Sequence, residues 1–436
     1  MKTITILNSM KSRYFMLVAC VTLLLGVSAC SSEEFGTDAQ EVKKEWTKQE
    51  LIEQALSRIP KTRATPPYPV IMVATNTTVS IMCFATEEVV IHWGDGAKTL
   101  TSKYDISEYY HTYSDDLLSH GIYLETSNEA IQSFDVSRNG LIFLDFTDNT
   151  NLASVACEHN NLSMLNLTGC PNLGTLWAYV NELSSIDLPY LPHLHSLYVN
   201  FNELKELNLI NCPNLRNLSI ASNNLSTIDL THLTDLLTFS TGGCQFTNID
   251  LSKNTKLESL YVGEAQITNL DLTKNTELRN LSINELPIKT LNNSPINDKS
   301  FAIFSKLEQL SISNTFFTSL DLSNNPLISY VNISKTAITK LDISNLQIKG
   351  LDAMDSQLTN LTYTSNNLKP ATYIRIDSTP FEQNYLNLFS LISVLPDRNE
   401  PDYSGYVHQG ELYTNSSTLI TSFLPILEGK NWVIKP

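Results

Sequence analysis

The chain has 436 residues, with 29 lysines and arginines against 45 aspartates and glutamates and a formal net charge of −16. Such a balance repels phosphate backbones and anionic membrane surfaces, which excludes nucleic acid and leaves neutral or basic partners. Only 15 glycines are present, few for loop-built active sites, and no GxSxG, HExxH or phosphate-loop phrase occurs.

At the N-terminus, Lys2, Lys11 and Arg13 precede an apolar run from Tyr14 to Val27 that is short for a membrane span. It ends in Val27-Ser28-Ala29-Cys30, which resembles a lipobox. The resemblance implies that residues 1–29 are a lipoprotein signal peptide and that Cys30 carries the lipid. Ser31-Ser32-Glu33-Glu34 resembles the surface-export signal of Bacteroidetes lipoproteins, which implies an outer-membrane, outward-facing location. Membrane contact would be through that anchor alone. Removal of residues 1–29 takes away three positive charges and no negative ones, which leaves −19. Residues 30–65 read as a tether. Val42, Trp46, Ile52, Leu56 and Ile59 give a partial helical stripe, so a short helix or a disordered segment is expected before a linker from Lys61 to Pro67.

Residues 66–130 read as a small β-sandwich. The runs at 70–73, 79–84 and 89–93 are rich in β-formers and are broken by Asn76-Thr77-Thr78 and Gly94-Asp95-Gly96. Ile91-His92-Trp93-Gly94-Asp95-Gly96, followed by His111-Thr112-Tyr113, resembles the WGDG…HTY signature of PKD-like, Ig-like sandwiches. Asp95-Gly96 suits a tight turn. His92, Asp95 and His111 are therefore read as turn and core residues rather than as a metal trio.

From residue 131 to 369 one period governs. Leu144, Leu165, Ile186, Leu207, Ile228, Ile249, Leu270 and Leu291 stand 21 residues apart without a slip. A fixed period of this length marks a solenoid. The stretch from Leu152 to Leu162 fits the pattern LxxLxLxxNxL, and its asparagine recurs as Asn160, Asn181, Asn202 and Asn223 before Cys244 replaces it. An inward amide there can satisfy backbone groups of its own and neighbouring coils. Beyond Cys244 the column becomes Ala265, Leu286, Thr315 and Thr336, so less regular C-terminal coils are expected. The second half of each repeat, as in Leu270-Asp271-Leu272-Thr273-Lys274-Asn275, alternates apolar and polar residues and suggests a second short extended segment. These repeats resemble bacterial internalin-type leucine-rich repeats, including a subclass with an inward strand cysteine, which occurs here only at Cys157. Eight extra residues within 292–306 break the register once. Residues 370–436 carry a helical pattern at 384–396 stopped by Pro396, and are read as a cap that shields the last coil.

The fold class is thus mainly β: a leucine-rich-repeat solenoid between a small N-terminal sandwich and a C-terminal cap. Cys83, Cys157, Cys170, Cys212 and Cys244 are odd in number after maturation and are expected as buried free thiols. His193 and His195 have no completing ligands for a metal. Asp145, Asp187, Asp229, Asp250, Asp271, Asp321 and Asp342 form a column interrupted by Asn166, Asn208 and Asn292. They are expected to accept turn hydrogen bonds rather than bind calcium. No catalytic constellation, cofactor or metal site emerges, so no enzyme is expected. Trp177, Tyr179, Tyr198 and Phe201 are expected to form one exposed aromatic patch on the concave sheet, with Tyr261 further along it. The resemblance to internalin-type proteins implies a monomer that recognises or adheres to a host or bacterial surface protein. The alternatives are a glycan-binding accessory protein in polysaccharide capture and a structural envelope protein.

Overall fold

The computed structural model describes residues 46–60, 68–368, 373–395, 410–413, 426–427, 430 and 432–435. The chain divides into two compact units, Met1–Trp46 and Thr47–Pro436. The signal segment, Cys30 and the linker 61–67 lie outside the described residues, so the fold is that of the second unit.

Its first element is a helix, α1 (Lys48–Ser57). Thr47 caps it: its hydroxyl accepts from the Glu50 N–H, and the Glu50 carboxylate accepts from the Thr47 N–H at 2.9 Å. This reciprocal box satisfies two donors that a helix start leaves unpaired. Ile52 and Ala55 face inward and pack on Val73, Ile142 and Phe143. Gly121 permits the approach, since a Cβ there would lie 2.7 Å from the Ala55 carbonyl oxygen. Lys48 forms an ion pair with Glu182, which ties the helix to the solenoid.

Six strands follow: β1 (Val70–Ala74), β2 (Thr78–Ala85), β3 (Val90–His92), β4 (Lys98–Leu100), β5 (Glu108–Thr112) and β6 (His120–Glu125). They split between two sheets that share one core, with Val70, Met72, Val79, Ile81, Ile91, Trp93, Ile122 and Leu124 inside. Neither sheet stops at residue 130. β2 pairs with β7 (Ile131–Asp135), and β1 pairs with β8 (Leu141–Asp145). β7 and β8 then pair in parallel with the next coil, at Ser154–Ala156 and Met164–Asn166. The sandwich therefore supplies the edge on which the first coil forms.

The tight-turn phrase works as a clamp. Asp95 accepts from the Ala97 N–H at 2.9 Å and pairs with His111 Nε2 at 2.6 Å. Trp93 is buried and stacks on His111, while the Tyr113 hydroxyl donates to the Trp93 carbonyl at 2.7 Å. His92 points elsewhere, to Glu125 at 2.9 Å, so the three residues do not converge on one point. His120 is buried and stacks flat on Tyr113, and burial pulls its pKa below the ordinary 6.5.

The solenoid makes about 13 turns. Each contributes a three-residue parallel strand to one long sheet, in unbroken register: Trp177 faces Ala156 and Tyr198, Ser219 faces Tyr198 and Ser240. The opposite side is only partly strand. The outer ladder is paired at Met164–Asn166 and resumes at Asn269–Leu270 with Thr290–Leu291; the segments between carry no strand assignment. Curvature explains this, because coils spaced for hydrogen bonding on the concave side lie farther apart outside.

The asparagine column points inward. Asn202 Nδ2 donates to the Ala178 and Val199 carbonyls at 2.9 and 3.0 Å, and its Oδ1 accepts from the Leu183 N–H at 3.0 Å. Asn160, Asn181 and Asn223 repeat the pattern, and the Cys244 thiol donates to the Ile220 carbonyl at 3.3 Å. The ladder starts one coil before Asn160, at Asn139, whose side chain pairs with both backbone groups of Ser80. The residue before each ladder position has positive φ, including Val180 (54°) and Phe201 (55°). That conformation is costly for such side chains, and the ladder bonds on the next residue hold it.

Beyond Cys244 the spacing of paired strand centres becomes uneven, as expected: 29 residues from Leu281 to Leu310, 20 from Val331 to Leu351 and 23 from Leu351 to Ile374, yet the coils keep their pairing. Thr315 and Thr336 hydroxyls donate to the Ile312 and Ile333 carbonyls at 2.5 and 2.6 Å, and the strand register persists. A second inward column on the outer turns also supports them: Asn254, Asn275, Asn325 and Asn367 donate to carbonyls of preceding coils. The insertion folds as a hairpin with Ser294–Pro295 paired to Thr290–Leu291. Asn292 and Asn293 take positive φ at its turn. It stays on the outer side, because Asn280–Ser282 pairs directly with Gln309–Ser311.

At the C-terminal end the long sheet continues through Tyr373–Arg375, Gly410–Tyr413 and Trp432–Lys435. A helix, α2 (Tyr385–Val394), buries Leu388, Leu391 and Ile392 against the core. All five cysteines in the described residues are free and buried, and burial pushes the thiols of Cys83, Cys170 and Cys212 up to about 12.

These contacts make two outcomes testable. Asn202→Leu leaves the Leu183 N–H without a partner and strips one of two amide donors from each of the Ala178 and Val199 carbonyls, which costs about 1–3 kcal/mol in urea unfolding; an unchanged midpoint would place Asn202 outside the interior. For His120 the unfolded chain takes up a proton near pH 6.5 while the folded chain resists it. Stability is then full above that pH and declines as pH falls through the window below it. Asp115, Asp95, Arg58 and His111 also act on this ring. Thermal melts of wild type and His120→Phe at pH 7.5 and 5 should show the larger acid loss in wild type.

Candidate binding surface on the concave sheet

Strand alternation decides what faces out. Val155, Leu176, Leu197, Leu218, Phe239 and Leu260 are buried, and their neighbours on either side point to the concave face. From Ser154–Ala156 to Tyr330–Asn332, nine successive concave strands contain no charged residue. They present hydroxyls, amides and aromatic rings instead. Ser196 accepts from Asn217 at 3.1 Å, Ser259 accepts from Asn280 at 2.9 Å, and Ser219 donates to Asn200 at 3.1 Å. The polar groups are thus held by each other across coils.

Trp177 and Tyr198 lie on adjacent strands with parallel rings, 5° between planes and 6.3 Å between centroids. Both are half-buried. Tyr179 is not part of an exposed patch: it is 9% exposed, and burial raises its phenol pKa, helped by a hydrogen bond to Glu158. Phe201 is 49% exposed but sits on the positive-φ turn at the rim of the strand. Tyr261 lies in the same outward column as Trp177 and Tyr198, three coils along from Tyr198, with two serines between. Beside it Gly242 and Gly263 leave the floor low; a Cβ on Gly263 would meet the Asn284 carbonyl oxygen at 2.8 Å.

Glu158, just past the first uncharged strand, belongs to no motif of the sequence. Burial raises its carboxyl pKa, with Asp135 adding to the effect. Its one trace in the chain is that it stands as an acid at the position occupied by Tyr179, Asn200 and Ala221 in later coils.

The aspartate column belongs to the outer turns. Asp145, Asp229, Asp250, Asp271, Asp321 and Asp342 each accept from the backbone N–H two residues on, and Asn166 does the same. Thr231 and Ser323 hold Asp229 and Asp321 below the usual carboxylate range through side-chain and backbone bonds. These are turn-closing carboxylates. His195 meets Ser196 Oγ at 3.0 Å, and His193 is exposed. Among the described residues no group of three or more histidine, cysteine or acidic side chains is placed to hold a metal ion.

The stacked coils define a leucine-rich-repeat β-solenoid. In particular, it is similar in fold to an internalin, inlF of Listeria monocytogenes, at 17% identity over 70% of this chain and 82% of that one, with a TM-score of 0.51. Weaker likenesses are to a leucine-rich-repeat protein of Leptospira interrogans and to InlJ of Listeria monocytogenes, whose functional domain includes a cysteine ladder. The first is 16% identical over 66% of this chain and 79% of the other, with a TM-score of 0.47. The second is 23% identical over 60% and 66%, with a TM-score of 0.43. No family model and no curated protein matches the chain.

Proposed function

We propose that this chain is a lipid-anchored, surface-exposed binding protein that recognises or adheres to another protein through its concave sheet, without catalysis. The observation that carries this reading is the uncharged floor of nine strands on a chain of net charge −16. Charges are costly to strip of water in the middle of an interface, and interface centres are depleted in them. Trp177 and Tyr198 supply the rigid aromatic area that anchors such contacts. The fold likeness to an internalin fits the same reading. A second reading, glycan capture, is favoured by the same hydroxyl, amide and aromatic lining, since sugars hydrogen-bond through hydroxyls and stack on rings. Protein and glycan arrays probed with residues 31–436 separate the two, and silence on both would favour a structural envelope role.

Once a partner is in hand, Trp177→Ala with Tyr198→Ala should preserve the thermal midpoint within a few degrees and weaken binding by about 2–4 kcal/mol. Unaltered affinity would move recognition off this patch, to another surface such as the 292–306 insertion. The anchor is tested separately. Cys30→Ser should abolish palmitate labelling and release the protein from membranes; labelling equal to wild type would refute the lipidated cysteine.

A further inference from the structure

The long sheet begins on β5, and among the described residues nothing pairs with the outer edge of that strand. Soluble proteins normally blunt a free edge with lysine, proline, a bulge or very short length. β4, which ends the other sheet, follows that rule: it is three residues long and carries Lys98. β5 does not. It has five residues, Glu108-Tyr109-Tyr110-His111-Thr112, without lysine or proline, in regular antiparallel register on β2 from Thr78 to Met82.

The surroundings of this edge are also unusual. Of 16 large hydrophobic side chains exposed over the described residues, six fall between residues 100 and 118: Leu100, Tyr104, Ile106, Tyr110, Leu117 and Leu118. Tyr110 stands at the centre of β5 and is 64% exposed.

We propose that β5 is a self-association edge, which pairs antiparallel with β5 of a second copy about a two-fold axis at Tyr110. The strand is complementary to itself in that register. Glu108 faces Thr112 of the second copy, Tyr109 faces His111, and Tyr110 faces Tyr110. No like charges oppose one another, and an aromatic pair sits on the axis, which is the favourable arrangement for cross-strand partners. A slip by two residues either way would lose the central Tyr110 pair. Two-fold pairing also closes, whereas pairing of β5 with the other end of the sheet, Trp432–Lys435, would generate an open filament. The proposed dimer differs from the monomer expected from sequence. Its consequence is mechanical: two concave faces join in one continuous sheet and can engage a repetitive ligand together. Pairing of the two edges is independent of the identity of that ligand.

Sedimentation of the full chain over a concentration series tests it. The expected result is a reversible monomer–dimer equilibrium, shifted at least about tenfold toward monomer by Tyr110→Lys, which puts two ammonium groups face to face. Register is read by cross-linking. Tyr110→Cys should give a disulfide-linked dimer on mild oxidation. Glu108→Cys should not, because the two copies of position 108 lie about 13 Å or more apart in this register. Circular dichroism matching wild type shows that the variants fold. A wild type that stays monomeric at high concentration would overturn the proposal. So would a dimer indifferent to Tyr110→Lys, cross-linking at Glu108→Cys instead of Tyr110→Cys, or growth into filaments.

Discussion

The structure depends on one constraint: every coil must leave its neighbour a hydrogen-bonded strand at the same place. A period of 21 without slips meets it, because the three-residue strands then align in register from coil to coil. The strands are short, so the turns that follow must be equally reproducible. Each turn passes through a left-handed residue, at His159, Val180, Phe201 and Ser222 in successive coils. A valine or phenylalanine does not adopt that conformation willingly. The inward amide on the next residue compensates, since it bonds two carbonyls, each shared with the amide of a neighbouring coil, and an N–H that would otherwise be buried without a partner. When the column on this side ends at Cys244, threonine hydroxyls and the second column of asparagines on the outer turns take over. The solenoid is held by polar groups placed inside it, not by leucine alone.

The same constraint explains the N-terminal strands. A first coil has an open edge, and β1 and β2 cover it on both sides of the solenoid. Asn139 joins the two parts by bonding Ser80 with the same amide that later coils use on one another. The paired Asp95 and His111, with Trp93 and Tyr113, hold the far end of this cover together. Their chemistry is therefore structural, and α1 adds a third layer over β1, β6 and β8.

The proposed recognition surface lies where this scaffold leaves freedom. Residues facing inward are dictated by packing, and those on the outer turns by turn closure. The concave positions answer to neither demand, yet they carry no charge over nine strands. A chain with 45 acidic residues has kept them off this one face. Glu158 stands at its margin, and burial raises its carboxyl pKa above the ordinary value.

Much of this was written in the chain. The spacing of Leu144 to Leu291, the column from Asn160 to Cys244 and the turn phrase at Gly94-Asp95-Gly96 each report a local geometric demand, and local demands leave periodic traces. The helix at 385–394 and the inward ladder could be read for that reason. Side-chain exposure could not. Tyr179 and Trp177 occupy similar outward positions, but the Tyr179 ring is buried, in contact with Glu158 and edge-on to His159 of the neighbouring coil. The merger of the sandwich with the solenoid, the outer hairpin at 290–295 and the free edge of β5 were equally hidden. Each depends on which distant segments meet, and a pairing between strands tens of residues apart has no period to announce it.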